Sequence, residues 1–245
     1  MMGKVIMSGI VPQLVVPRKP GIQASELAVG STVKLMENGT AVEYLVVNQG
    51  IPDNSSLYDS SCDGTWLLRK DCVANRTWND SSSNSYKDST MHSYLNSTFL
   101  NIFEDSSRVA IKPVKIPYLN GMGVSGDAIA TGANGLETSA FLLGSYELGW
   151  TTYGMSYMHI DGACLSYFNG AAASDAKRIA NWNGVVTNWW LRTATGNTQD
   201  SVIVTTASGG RSNMKYSYSN GVRPCVIIDR TALFDEETLV LKGVA

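Results

Sequence analysis

Charge is scarce in this 245-residue chain: 19 Lys and Arg stand against 21 Asp and Glu, a formal net charge of −2. The longest basic run is Arg18-Lys19, so the sequence carries no electrostatic footprint for nucleic acid or for an anionic membrane. Histidine is rarer still, with two copies, and the four cysteines at 62, 72, 164 and 225 form no C-x-x-C pair. This argues against a Cys/His zinc site. Buried or idle thiols describe the cysteines best, with a Cys62–Cys72 disulfide as the alternative. Acidic residues are dispersed without calcium-loop spacing, so no metal and no cofactor is expected. The apolar stretch from Val5 to Val16 is broken by Pro12 and Gln13, and no small-residue cleavage site follows. Neither a signal peptide nor a membrane span is expected. Export would then run by another route, such as incorporation into a particle.

Catalytic signatures are missing too. There is no G-x-S-x-G, H-E-x-x-H or G-x-x-x-x-G-K-[ST]. Gly121 to Gly126 matches G-x-G-x-x-G, but Gly132 and Gly135 follow where a phosphate-binding helix would have to stand, so the stretch reads as a loop. His92 falls off the apolar stripe of its helix, and His159 near Asp161 reads as an ordinary loop contact. Sequons at Asn38, Asn54, Asn75, Asn79 and Asn96 are chance matches in a Ser/Asn/Thr-rich chain.

What is present is a foldable chain: 44% hydrophobic, 16% charged, 23 glycines, long enough for one sizeable core and too apolar for disorder. Residues 1–24, with Pro12, Pro17, Pro20 and Gly21, read as an arm or linker, and residues 25–245 as one domain. Glu37-Asn38-Gly39-Thr40 marks a hairpin turn between alternating strands. Thr65 to Arg69 and Ser139 to Leu143 read as short strands, and residues 48–64, 70–87, 119–138 and 151–184 as irregular loops. Met91, Leu95, Phe99, Ile102 and Phe103 share one face of a main helix, Asp88 to Glu104. Trp189 to Leu191, Ser201 to Thr206, Met214 to Tyr218 and Val222 to Asp229 read as four strands, with Ser208-Gly209-Gly210 and Asn220-Gly221 as turns. Thr65-Trp66-Leu67-Leu68-Arg69 echoes Asn188-Trp189-Trp190-Leu191-Arg192.

The C-terminal region changes character abruptly. Of the 28 residues from Thr193 to Asn220, 16 are Ser, Thr, Asn or Gly. They are bracketed by Asn188-Trp189-Trp190-Leu191-Arg192 and Gly221-Val222-Arg223-Pro224. The brackets read as fixed core strands, each Arg held by a carboxylate or by backbone carbonyls. Between them, Tyr216 and Tyr218 among small polar residues match the composition of binding loops. A solvent-facing sheet explains the same composition equally well.

The brackets resemble a family from gut bacteria and their phages in which W-W-L-R-(S/T) opens and G-(V/I)-R-P closes the last strands of a C-type-lectin-like fold. Val42 to Asn48, Thr65 to Arg69, Ser93 to Asn96 and Phe141 to Leu143 extend the resemblance to residues 25–230. Its members are similar to the variable proteins of diversity-generating retroelements, including phage receptor-binding tail proteins. The resemblance implies an α+β, C-type-lectin-like fold and no catalysis. Trp189, Trp190, Leu191, Arg192 and Arg223 would form the scaffold. Thr195, Asn197, Thr198, Gln199, Asp200, Ile203, Thr205, Arg211, Asn213, Met214, Lys215, Tyr216 and Tyr218 would contact a host-surface protein or glycan. It places the protein on a phage tail, virion or bacterial surface, and allows a homo-oligomer such as a trimer, or attachment to a particle through residues 1–24. The alternatives are a formylglycine-generating type of enzyme using Cys164 and Cys225, and a structural particle protein without ligand.

Overall fold

Two five-stranded sheets, joined along one seam, organise the chain. The computed structural model describes residues 21–120, 128–150, 159–170, 174–195 and 199–244. In chain order the ten strands of these sheets are β1 (Thr32–Glu37), β2 (Thr40–Gln49), β3 (Thr65–Arg69), β4 (Ala74–Thr77), β5 (Ala140–Phe141), β6 (Trp189–Ala194), β7 (Ser201–Thr205), β8 (Arg211–Lys215), β9 (Ser219–Val222) and β10 (Cys225–Ile228). The first sheet runs β5–β10–β3–β2–β1 and is antiparallel throughout. The second runs β8–β7–β6–β9–β4, with β6 and β9 parallel. A three-stranded sheet joins Ile22–Gln23, Ala232–Phe234 and Leu241–Val244. The expected arm therefore enters the fold at its last residues; the rest of it, 1–20, lies outside the described residues, as does the Gly121 to Gly126 loop.

The chain crosses between the sheets twice at one place, after β3 and after β9. There Arg69 N donates to Pro224 O at 2.9 Å, Val73 N to Val222 O at 2.8 Å, and Arg223 Nε to Arg69 O at 2.9 Å. This seam accounts for G-V-R-P. Gly221 is not the expected turn: it lies inside β9, and a Cβ there would sit 2.5 Å from Cys72 Sγ and 3.0 Å from Asn188 O. Close approach, not a left-handed backbone, demands the glycine.

The expected α+β architecture with one main helix is corrected: the protein is mainly β. Of Asp88 to Glu104, only Thr90–Tyr94 (α1) winds as α-helix, capped by Ser89 Oγ accepting from His92 N at 3.0 Å. Leu95–Phe99 follow as a π turn and Leu100–Ile102 as a 3-10 turn. The apolar face was legible, since Met91, Leu95 and Phe99 are buried. The wide turn has a local consequence: it presents Asn96 to β5, where Nδ2 donates to Ala140 O at 3.0 Å and Oδ1 accepts from Ser139 N at 2.8 Å. Phe103 leaves the helix and bridges Glu37. Meanwhile, segments expected as irregular pair as strands, among them Ala74–Thr77, Ala128–Ala130 and Leu136–Thr138. Non-local partners supply their hydrogen bonds, so short polar runs without local periodicity become sheet.

The other two expected turns form. Asn38 and Gly39 both take positive φ, at 46° and 77°, and join β1 to β2, as a two-residue hairpin requires. Between β7 and β8, Gly209 has φ of 85°, and a Cβ on it would lie 1.9 Å from Asp175 O. Gly209→Ala is therefore expected to cost more than ~2 kcal/mol, through both backbone strain and a main-chain clash. Gly210→Ala, whose Cβ would first meet the movable Thr206 Oγ1 at 3.3 Å, should be tolerated. Urea midpoints of the two variants check the contrast.

Candidate ligand-contact surface

The framework of the second sheet begins with two tryptophans. Trp189 Nε1 donates to Arg178 O at 2.8 Å and Trp190 Nε1 to Arg76 O at 2.9 Å, so both indoles are fully buried without an orphaned N–H. After Trp190 the register to β7 slips: Trp190 pairs with Val204, but Ala194 pairs with Val202. In this bulge Leu191 O accepts from Trp78 Nε1 at 2.9 Å, while Arg192 N donates to Leu143 O at 3.0 Å. Such a bulge re-aims a side chain, and here Arg192 turns into the core.

All five guanidinium donors of Arg192 are used. Nη1 and Nη2 fork onto Glu147 Oε2 and Oε1 at 2.7 Å each. Nη1 also reaches Leu142 O at 2.9 Å, Nε reaches Pro117 O at 3.2 Å, and Nη2 reaches Asp161 O. Glu147 accepts further from Tyr58 Oη and Gly144 N, both at 2.8 Å. Asp161 Oδ2 takes the Thr193 hydroxyl at 2.8 Å and lies 3.8 Å from Arg192 Nε, while its Oδ1 is buried with no partner. Two carboxylates thus face one guanidinium in a buried site. Burial pushes the Asp161 carboxyl up to about 6, against the opposing pull of Arg192. Burial also disfavours the Arg192 charge, but Glu147 and then Asp161 outweigh it and hold its pKa above the ordinary value.

Arg223 differs. It rests on the Trp189 ring, 5.0 Å from the centroid, and bonds a carbonyl, and no carboxylate among the described residues pairs with it. Burial lowers its pKa to about 10. The expectation that carboxylates or carbonyls hold these arginines is met by both kinds of partner at Arg192 and by a carbonyl alone at Arg223. The echo noticed in the sequence acquires a physical counterpart. β3 also carries a buried tryptophan, Trp66, near its start and ends on an arginine, Arg69, paired at 3.0 Å with Glu37, which is buried.

The expected contact residues divide sharply. Gln199, Asn213, Lys215 and Tyr218 are exposed, and Asp200, Arg211, Met214 and Tyr216 are half-buried. Thr195, Ile203 and Thr205 are fully buried and are corrected: none of them offers a surface to a ligand. β7 lies between β6 and β8, and Asn84 of the preceding Ser/Asn-rich stretch reaches Ser201 O at 3.0 Å. The signal was present in Val202-Ile203-Val204, a continuous apolar run of the kind that marks a strand covered on both faces. Asn197 and Thr198 lie outside the described residues. Lys215 Nζ stands 3.5 Å from Asp200 Oδ2, and Arg211 lies 5.8 Å from the Trp150 ring centroid.

A second exposed feature escaped the sequence reading. Ala180–Trp182 and Val185–Thr187 form a hairpin around Asn183 and Gly184, both at positive φ, and Trp182, Val185 and Val186 face solvent. The Asn-Gly signal that marked residues 38 and 39 was equally visible here.

Burial works against the thiolate form at all four cysteines. All four cysteines are free. Cys225 is fully buried inside β10, and burial raises its thiol well above the ordinary value. Burial pushes Cys62 and Cys72 up to about 12 and raises Cys164 as well, whereas reactive thiols need a lowered pKa and access. His92 packs edge-on against Tyr86, with ring centroids 5.4 Å apart, and burial lowers its pKa. Among the described residues no group of three or more His, Cys, Asp or Glu could hold a metal.

A family model described as a domain of unknown function, DUF6273, matches residues 63–230, more than half of the chain. The chain belongs to the DUF6273 family. The DUF6273 match spans β3 to β10, the tryptophans of β3 and β6 and the Arg192–Glu147–Asp161 cluster, and leaves the β1–β2 hairpin with Glu37 outside it. No curated protein and no solved structure matches the chain.

Proposed function

We propose that this protein is a ligand-binding protein of the receptor-binding type, displayed on a phage tail, virion or bacterial surface, which recognises a host-surface protein or glycan through β8 and the residues flanking it. The contrast between neighbouring strands supports this reading. β6 and β7 are buried along their whole length, whereas β8 and the turn after it present Asn213, Lys215, Ser217 and Tyr218 to solvent. A display surface needs this division, because side chains can change on the outer strand without disturbing the core. An exposed tyrosine beside small polar residues supplies rigid contact area together with adaptable hydrogen bonding.

The reading agrees with the resemblance of the W-W-L-R and G-V-R-P brackets to variable receptor-binding proteins, and narrows the contact set to Gln199, Asp200, Arg211, Asn213, Met214, Lys215, Tyr216 and Tyr218. Randomising Asn213, Lys215, Ser217 and Tyr218 together should shift stability by less than ~1 kcal/mol, since surface changes away from caps and networks are small. Multimerised wild-type protein should bind a component of glycan or bacterial surface-protein arrays, and the randomised pool should lose that binding. A uniform loss of melting temperature across the pool, or arrays that stay blank at high valency, would count against the proposal.

A further inference from the structure

We propose that the outer edge of β8 adds an extended peptide strand carrying acidic side chains two residues either side of its central residue. The inference rests on the contact-surface reading above and gives the ligand a chemistry.

The hydrogen-bond register determines which backbone groups are available. Thr206 N donates to Gly210 O at 2.8 Å, and Tyr216 N to Asp200 O at 3.0 Å. In an antiparallel pair the hydrogen-bonded positions alternate, so Ser212 and Met214 direct their amides at Val204 and Val202 of β7. Arg211, Asn213 and Lys215 then direct their backbone N–H and C=O away from it. Lys215 O is taken by Tyr218 N at 3.0 Å. The Asn213 N–H, the Asn213 C=O and the Lys215 N–H meet no other strand among the described residues, where β8 is the outermost strand of its sheet. Such a row is a template for strand addition.

Charge decides between occupants. Arg211, Asn213 and Lys215 stand on one face of β8. A second copy of this chain pairing antiparallel about Asn213 would set Arg211 opposite Lys215 of the other copy, twice. In-register parallel pairing would set like on like. Like charges directly opposite are destabilising, so the edge is guarded against itself. A foreign strand with a carboxylate opposite each of these two positions meets attraction instead. The Lys215–Asp200 contact at 3.5 Å joins two half-exposed groups, a weak pair that an incoming carboxylate can share.

The test titrates the isotope-labelled full chain with a blocked nonapeptide, Thr-Val-Glu-Thr-Thr-Thr-Glu-Val-Thr, whose two Glu would face Lys215 and Arg211. The amides of Asn213 and Lys215 should move downfield. Asn213→Pro removes one outward N–H while leaving the β7 ladder intact, so it should weaken binding at least tenfold without lowering the melting temperature. The double variant Arg211→Glu/Lys215→Glu should prefer the peptide in which Lys replaces Glu. Three results would overturn strand addition: no binding at millimolar peptide, binding that Asn213→Pro leaves unchanged, or self-association through β8 in sedimentation. Array binding that Tyr218→Ala abolishes and Asn213→Pro does not would also overturn it, while sparing the contact-surface proposal.

Discussion

Arg192→Met is expected to lower stability by about 3–5 kcal/mol, the cost of removing one partner from a buried, hydrogen-bonded charge pair. The substitution leaves Glu147 and Asp161 as two carboxylates in a site with 0% and 2% side-chain exposure. It also strips donors from the carbonyls of Pro117, Leu142 and Asp161. At ~2–4 °C per kcal/mol for a chain of this size, the melting temperature should fall by about 6–20 °C. Adding Glu147→Met should recover much of the loss, because replacing a buried pair by apolar groups of similar volume is often close to neutral. A single variant within ~1 kcal/mol of wild type would show that Arg192 does not hold the bulge of β6 in place.

The second expectation concerns pH and runs against the usual carboxylate behaviour. Asp161 has a folded pKa of about 6 against an ordinary value of 3.8, so between these values the folded chain holds a proton that the unfolded chain has released. Stability from this group is therefore fully present below about pH 4 and declines as pH rises through 6. The difference corresponds to roughly 3 kcal/mol at 1.36 kcal/mol per pKa unit. The groups facing Asp161 are Arg192 and Thr193 from β6 and Glu147, with Tyr58 beyond Glu147. Asp59, Asp229 and Asp235, held below the ordinary value by hydrogen bonds, act in the opposite sense, so the informative quantity is the wild type minus the variant. Asp161→Asn keeps an acceptor for Thr193 and cannot ionise. Urea unfolding of both proteins from pH 4 to pH 7.5 should show a stability difference that moves in favour of the variant as pH rises through 6. A difference independent of pH would mean that Asp161 stays ionised in the fold.

How much of this was legible depended on how far apart the partners are in the chain. The β1–β2 hairpin could be read because Asn38 and Gly39 carry their own backbone preference. The apolar face of Met91, Leu95 and Phe99 could be read because its period is local, though the π turn beneath it could not. Trp189, Trp190, Leu191, Arg192 and Arg223 were identified as framework from residue type, and all five are buried. The contact set was overextended because polar composition was weighed above the apolar run Val202-Ile203-Val204. Ile203 and Thr205 are interior because they lie on that strand, and Thr195, just past β6, turns its hydroxyl inward onto Ser201 O at 3.1 Å. The partners of Arg192 were out of reach: Glu147 and Asp161 lie 45 and 31 residues before it, Glu147 on the short helical turn Tyr146–Leu148 and Asp161 on a loop, and nothing local in either points to a distant arginine.

The sequence by itself determined a chain with its own core, the turns whose residues demand left-handed backbone, the Trp and Arg framework, and the polar stretch between its brackets. Only the tertiary structure decided that the protein is mainly β, and that β8 lies open at the edge of its sheet. It alone brought two carboxylates to one arginine. The division has a physical cause: backbone preferences and periodicity act over a few residues, whereas burial and charge pairing depend on which distant segments the fold brings together.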